Sequence, residues 1–204
     1  MIIESVCVGP FQVNCYVLAG QKGGKAVLID PGDQERKIRH LLEKHDLTAA
    51  LIVNTHGHID HIGANDFFGV PVYIHELDRG MLQDARLNLS QMFMKPFVSV
   101  AEVRPLRDND TVELEGVRLR VLHTPGHTPG GISLVAQNVV FSGDTLFCRS
   151  VGRTDFPGAD EDQLLVSIRS RLFTLPDDTI VYPGHGPSTT IGEEKQENPF
   201  LNGS

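Results

Sequence analysis

The most constraining stretch of this 204-residue sequence is His56-Gly57-His58-Ile59-Asp60-His61, four metal-type donors within six residues. It follows the apolar run Ala49–Val53, which reads as a short buried strand ending at Asn54-Thr55. In extended backbone, residues two apart point the same way, so His56 and His58 can converge on one ion. Gly57 leaves no side-chain bulk between them. A turn into a helix then aims Asp60 and His61 at a neighbouring point. Imidazole and carboxylate are suitable donors for zinc, iron or manganese.

A polar loop that happens to be rich in histidine would account for this run by itself, but three later segments repeat its construction. Thr124-Pro125-Gly126-His127-Thr128-Pro129-Gly130, Ser142-Gly143-Asp144-Thr145 and Tyr182-Pro183-Gly184-His185-Gly186 each place one donor after a strand and a glycine. Loops at strand ends are where a scaffold places chemistry. Together the four segments supply five histidines and two aspartates. Seven donors exceed what one tetrahedral ion takes and fit two ions sharing a bridge. The other histidines, His40, His45, His75 and His123, read as helix-face or strand-end residues, with His123 a candidate outer partner.

Between these motifs the chain alternates strands and helices. Strands are expected at Ile2 to Val8, Val13 to Leu18, Ala26 to Ile29 and Val70 to Ile74, then at Thr111 to Leu114, Val117 to Leu122, Ile132 to Val135, Val139 to Ser142 and Thr179 to Tyr182. Arg36 to Lys44 and Asp162 to Leu172 have helical spacing with one apolar face, and Ile62 to Phe68 reads as a helix start. Residues 79 to 100 have weak periodicity and several Met and Phe, and read as a mobile or substrate-facing segment. Each half supplies strands, a helix and another strand, and each amphipathic helix needs a sheet to cover. The expected architecture is therefore an α/β fold, an αββα sandwich, built as one domain over residues 1–204.

Composition narrows the function. With 40% hydrophobic and 22% charged residues the chain can bury a core without disulfides. A net charge of −8 argues against nucleic acid as the main ligand. Cys7, Cys15 and Cys148 form no C-x-x-C pair; Cys7 and Cys15 read as two buried thiols on a hairpin. No basic leader precedes Ile2-Ile3-Glu4 and no apolar run approaches bilayer length, so a cytoplasmic protein that uses no membrane is expected.

The ordered motifs H-x-H-x-D-H, PGHTPG, GDTLF and PGHG resemble the metallo-β-lactamase superfamily over nearly the whole chain. That resemblance implies that His56, His58 and His127 hold one ion, that Asp60, His61 and His185 hold the other, and that Asp144 bridges them. Two such ions lower the pKa of a shared water from about 15.7 towards roughly 7. A hydroxide then replaces a serine or cysteine nucleophile, and the sequence has no G-x-S-x-G elbow. Asp60 would orient that hydroxide as well as ligate. Asp30, closing a strand at Leu28-Ile29-Asp30-Pro31-Gly32, is a candidate acceptor for a ligand imidazole N–H, or simply a turn former.

Within the superfamily, GDTLF, PGHG and Asn198-Pro199-Phe200-Leu201 are most similar to glyoxalase II, the hydroxyacylglutathione hydrolases. The resemblance implies hydrolysis of an S-2-hydroxyacylglutathione, S-lactoylglutathione for example, with two divalent ions, zinc first and iron or manganese as alternatives. Longer family members carry a C-terminal helical domain that helps hold glutathione; here nineteen residues follow His185, as in the short bacterial glyoxalase II-like hydrolases. Those longer members also place a Lys and a Tyr after GDTLF, where this chain has Gly152-Arg153-Thr154-Asp155-Phe156. Arg153 can replace the lysine charge and pair with a glutathione carboxylate. Persulfide dioxygenases with one iron share a similar GRTDF run and are the nearest rival; acyl-homoserine lactonases share the seven donors. A metal-stabilised binding module fits less well, because structural zinc cages are closed and cysteine-rich.

Overall fold

The structure is a computed structural model that describes residues 1–202. It consists of two six-stranded sheets packed face to face, with helices outside.

The first sheet runs in sequence order: β1 (Ile2–Val8), β2 (Val13–Ala19), β3 (Lys25–Ile29), β4 (Thr48–Val53), β5 (Val72–His75) and β6 (Val103–Leu106). β1 to β3 pair antiparallel, and β3 to β6 pair parallel. The parallel step from β3 to β4 needs a crossover, supplied by helix α1 (Glu35–Lys44). The second sheet is built from β7 (Thr111–Leu114), β8 (Val117–His123), β9 (Ile132–Ala136) and β10 (Val139–Gly143). After the small ribbon of β11 (Leu146–Phe147) and β12 (Ser150–Val151) come β13 (Ile180–Pro183) and β14 (Thr189–Thr190), which complete it. Its order is β14-β13-β10-β9-β8-β7, and only β10 and β13 are parallel neighbours.

Both faces of each sheet are buried, so the central strands are apolar almost throughout. Along β2, Leu18 points into the space between the sheets, where it meets Leu119, Val121, Leu134 and Phe141. Its neighbours Val17 and Ala19 point outward against Ile38 and Leu42 of α1. On the far side Leu122, Val140 and Val181 receive Leu164, Ile168 and Leu172. Those three side chains come from α4 (Glu161–Ser167) and the wider helical turn Ile168–Leu172 that continues it. This is the αββα layering expected from the sequence.

Several details differ from expectation. The helix expected over Ile62 to Phe68 is instead a single turn, α2 (Ile59–Ile62), followed by a 3-10 turn at Asn65–Phe67. Residues 79–100, expected to be mobile or substrate-facing, are folded down by their own polar groups, and two of them, Leu89 and Phe93, face the cavity over the donors. They contain a 3-10 turn (Arg79–Gln83) and α3 (Ser90–Phe93). The Asn88 side chain donates to the carbonyls of Met81 and Phe97, and Ser99 N donates to Leu82 O. Cys7 is exposed and only Cys15 is buried. In the β1–β2 register Cys7 faces Asn14 and Cys15 faces Val6, so the two thiols lie on opposite faces. α5 (Ile191–Glu197), capped reciprocally by Thr190 and Glu193, follows β14. Among the described residues no helix is long and apolar enough to cross a membrane.

Candidate metal centre

β4, β8, β10 and β13 all end on one edge of the sandwich, and the four donor-bearing loops follow them. Strands β8 and β10 run alike because each is antiparallel to β9, and β13 is parallel to β10. β4 leads through Asn54 and Thr55 to His56; His58 sits just before α2, which carries Asp60 and His61.

The seven donors predicted from sequence are brought together. His56, His58 and His127 form one group, Asp60, His61 and His185 another, and His56, His61 and Asp144 a third that joins them. The three rings of the first group stand nearly perpendicular to one another, with centroids 4.7–4.8 Å apart. His58 Nδ1 lies 2.9 Å from His127 Nε2. In the second group His185 Nε2 is 3.3 Å from Asp60 Oδ2, and His61 Nε2 is 3.7 Å from the same atom. Asp144 Oδ2 lies 3.7 Å from His127 Nε2 and 3.5 Å from His185 Nε2, one ring from each group. Gly184 is required beside it, since a Cβ there would fall 2.2 Å from Asp144 Oδ1.

The inward atoms fit a metal better than they fit each other. His56 Nε2, His61 Nε2 and Asp144 Oδ1 are buried without a hydrogen-bond partner, an arrangement costly unless something else is bound there. The outward ring nitrogens, by contrast, are held. His61 Nδ1 meets Asp30 Oδ2 at 2.9 Å, His127 Nδ1 meets Arg153 O at 2.7 Å, and His185 Nδ1 meets Phe11 O at 3.0 Å. Such partners fix ring orientation and tautomer around a metal. Asp30 is thus the acceptor considered from sequence; it also accepts from Thr55 N and Thr55 Oγ1.

Electrostatics divide the groups. Burial pushes His56 well below the ordinary imidazole range and His58 down to about 3, with neighbouring rings adding to the effect. Both are therefore neutral at pH 7, as ligation requires. For His61, burial acts downward but is outweighed by Asp144, Asp60 and Asp30, and its pKa rises. Burial opposes ionisation of Asp144 too, yet His61 and the other imidazoles hold that carboxyl well below its usual range.

Above the donors lies a cavity of about 320 Å³. Its wall is apolar: Phe11, Ile59, Leu89, Phe93, Phe147 and Phe156. Phe93 is edge-on to both Phe11 and Phe156, and Phe156 packs 5.5 Å from the His58 ring. Leu89 and Phe93 come from the segment of weak periodicity, and no sequence signal marked Phe11. Leu89 adopts a φ of 65°, a strained conformation for a leucine, held by the hydrogen bond from Ile59 N to Asn88 O. Arg153 also lines the cavity, but its guanidinium is paired in both directions with Asp155 (2.9 and 2.7 Å) and lies 4.5 Å over Phe156. Arg149 points away and pairs with Glu197. His45 pairs with Glu4, while His75 and His123 stack on each other away from the donors.

Residues 8–185 match the model of the Metallo-beta-lactamase superfamily. The chain belongs to that superfamily, a family of metallo-hydrolases that bind divalent metals. It is 38% identical to the hydroxyacylglutathione hydrolase GloC of Haemophilus influenzae, covering 99% of each sequence. Among solved structures, BLEG-1 B3 metallo-beta-lactamase superposes with a TM-score of 0.92 at 41% identity, covering 99% of this chain and 100% of that one. TTHA1623 in a di-iron-bound form gives 0.85 at 41% identity, covering 97% and 100%. ETHE1 from Myxococcus xanthus gives 0.82 at 34% identity, covering 100% and 86%.

Proposed function

We propose that this protein is a dinuclear metal-dependent thioester hydrolase of the glyoxalase II kind, acting on S-2-hydroxyacylglutathione substrates such as S-lactoylglutathione. The observation that carries this reading is the pair of donor groups sharing Asp144 at the floor of one cavity. His56, His58 and His127 would hold one ion and Asp60, His61 and His185 the other, with zinc the first assignment and iron or manganese the alternatives. When bound, such ions supply a water nucleophile at neutral pH and polarise the thioester carbonyl.

The chain's own groups do the rest. Asp60, partly exposed between His61 and His185, would orient the attacking water as well as help hold an ion. The aromatic wall would give the acyl and thiol-carrier parts of the substrate an apolar surface beside the reacting carbonyl. A thiolate leaves readily, so the cavity needs no strong general acid. Arg153, at the cavity wall, would exchange Asp155 for a substrate carboxylate. GloC, matched along nearly its whole length, supports the substrate assignment.

The test is hydrolysis of S-lactoylglutathione by protein purified without added metal, with a chelator control and metals counted on the same sample. Chelator-sensitive turnover with close to two ions per chain supports the reading. The GRTDF run, which lies against the cavity through Arg153 and Phe156, favours a second reading, a glutathione persulfide dioxygenase with one iron. No thioester turnover and one iron per chain would select it. Two ions without thioester turnover would redirect the search to lactones and, given the likeness to BLEG-1, to β-lactams.

A further inference from the structure

We propose that Asp78 is a positioning residue for the all-histidine donor group, clamping the two loops that carry it. The proposal rests on the two-ion reading above. Asp78 is fully buried and lies just beyond β5, where its backbone N donates to His75 O. Its side chain touches none of the seven donors. Instead, Oδ2 accepts from Gly57 N (3.2 Å) and Thr128 Oγ1 (2.7 Å), and Oδ1 accepts from Gly130 N (2.6 Å). Gly57 separates His56 from His58, and Thr128 follows His127 directly. One carboxylate therefore ties together, through backbone and hydroxyl, the loop after β4 and the loop after β8.

The sequence has made room for this contact. A Cβ on Gly130 would fall 2.6 Å from both the backbone N and Oδ1 of Asp78. An unpaired buried carboxylate is costly, and here three donors from two different loops offset that cost in part, burial still raising its pKa. Both oxygens are needed, because the donors approach them from separate segments. An asparagine could accept on one side only and would turn N–H groups toward N–H donors on the other. The loops would separate by a few tenths of an ångström, enough to spread His58 and His127 from their 2.9 Å approach. The second group is held by other means, through Asp30 on His61 and Phe11 on His185.

The consequence is selective. In Asp78→Asn, the ion held by His56, His58 and His127 should bind about 10–100-fold more weakly, the usual cost of losing an outer partner, while the other ion keeps its affinity. Metal-free wild type, Asp78→Asn and Thr128→Val are titrated with Zn²⁺ against a chromophoric chelator, with Co²⁺ absorption spectra recorded in parallel. The expected result is two binding steps in wild type, one of them selectively weakened in Asp78→Asn and weakened less in Thr128→Val, which removes one of the three donors. Equal weakening of both steps would mean a general role in folding and would overturn the proposal, as would two unchanged steps in Asp78→Asn. If Asp78→Asn fails to fold, Thr128→Val decides by the same criterion. A single step in wild type would overturn the two-ion reading itself, and the proposal with it.

Discussion

The two donor groups meet at Asp144 but are built on different terms. His56, His58 and His127 are all imidazoles and all buried, each no more than 6% exposed. The Asp60, His61 and His185 group contains a carboxylate and is partly open, with side-chain exposures of 20% at Asp60 and 27% at His185. The first is the more buried and has no carboxylate of its own; the second is the more exposed and carries one. An ion in the first group gains little electrostatic help beyond Asp144 and depends on accurate ring placement. An ion in the second is attracted by Asp60 and Asp144 together. The first group therefore needs rigid support, and the second can exchange ligands with the solvent side.

The strongest way to break this contrast is to remove what the groups share. Asp144→Ala should strip both ions and lower turnover by more than about 100-fold, exceeding the loss expected for an outer partner alone; metal counting on the purified variant checks it, and retained stoichiometry would refute the bridging role. Next in size, His58→Ala and His185→Ala should each leave close to one ion per chain, with the His185 variant losing the more accessible one. Equal occupancy patterns from competitive titration would erase the distinction. Asp30→Asn should weaken the second group's ion by about 10–100-fold and the first group's less, because Asp30 bonds His61 directly but reaches His56 only through Thr55.

Smaller effects are expected on the cavity. Phe93 is 45% exposed, so Phe93→Ala forfeits roughly 1 kcal/mol of apolar contact and should raise KM about 5-fold at constant metal content. Arg153→Ala should raise KM more than it lowers kcat, and by less than Phe93→Ala, because Asp155 already neutralises the guanidinium. Steady-state kinetics with S-lactoylglutathione measures both.

The smallest effect lies outside both groups and marks their boundary. His75 and His123 stack 4.1 Å apart at an interplanar angle of 9°, unlike the perpendicular rings of the centre, and belong to no cluster of donors. Burial first, and the His123 ring next, lower His75 to about 4. A group protonated more readily when unfolded makes stability fall as pH falls, here between about 6.5 and 4. His75→Gln should flatten that slope in urea titrations with chelator present, leaving metal stoichiometry at neutral pH unchanged.

The legible parts of this molecule were local in sequence. His56 through His61 and the three glycine-flanked donors could be read because strand periodicity and the loop after it lie within a few residues. The αββα layering followed from two amphipathic helices that each needed a sheet. What escaped is assembled from distant segments. Asp78 gains its meaning only when Gly57 and Gly130 arrive from two other loops. Phe11 and Phe93, eighty-two positions apart, meet edge to face over the donors. β6 was missed because Val103-Arg104-Pro105-Leu106 contains a proline, tolerated there because β6 is the last strand of its sheet. Cys7 was misplaced because the β1–β2 register could not be fixed without the turn.

The His185 loop is held by the opposite sheet. Asn14 N donates to Gly184 O at 2.7 Å, the Asn14 side chain to the carbonyls of Pro183 and Gly186, and Tyr16 OH to Pro183 O at 2.6 Å. The donors themselves come from β4 in one sheet and from β8, β10 and β13 in the other. No single sheet contains a complete centre, so the site exists only where the two sheets are docked. A bound ion then acts as a non-covalent cross-link between them: it recognises the assembled sandwich and not its parts, and adds about 2.7 kcal/mol of stability at a free concentration 100 times its Kd. Melting temperature should thus track free metal, making the heat resistance of the protein a readout of how full its donor-lined floor is.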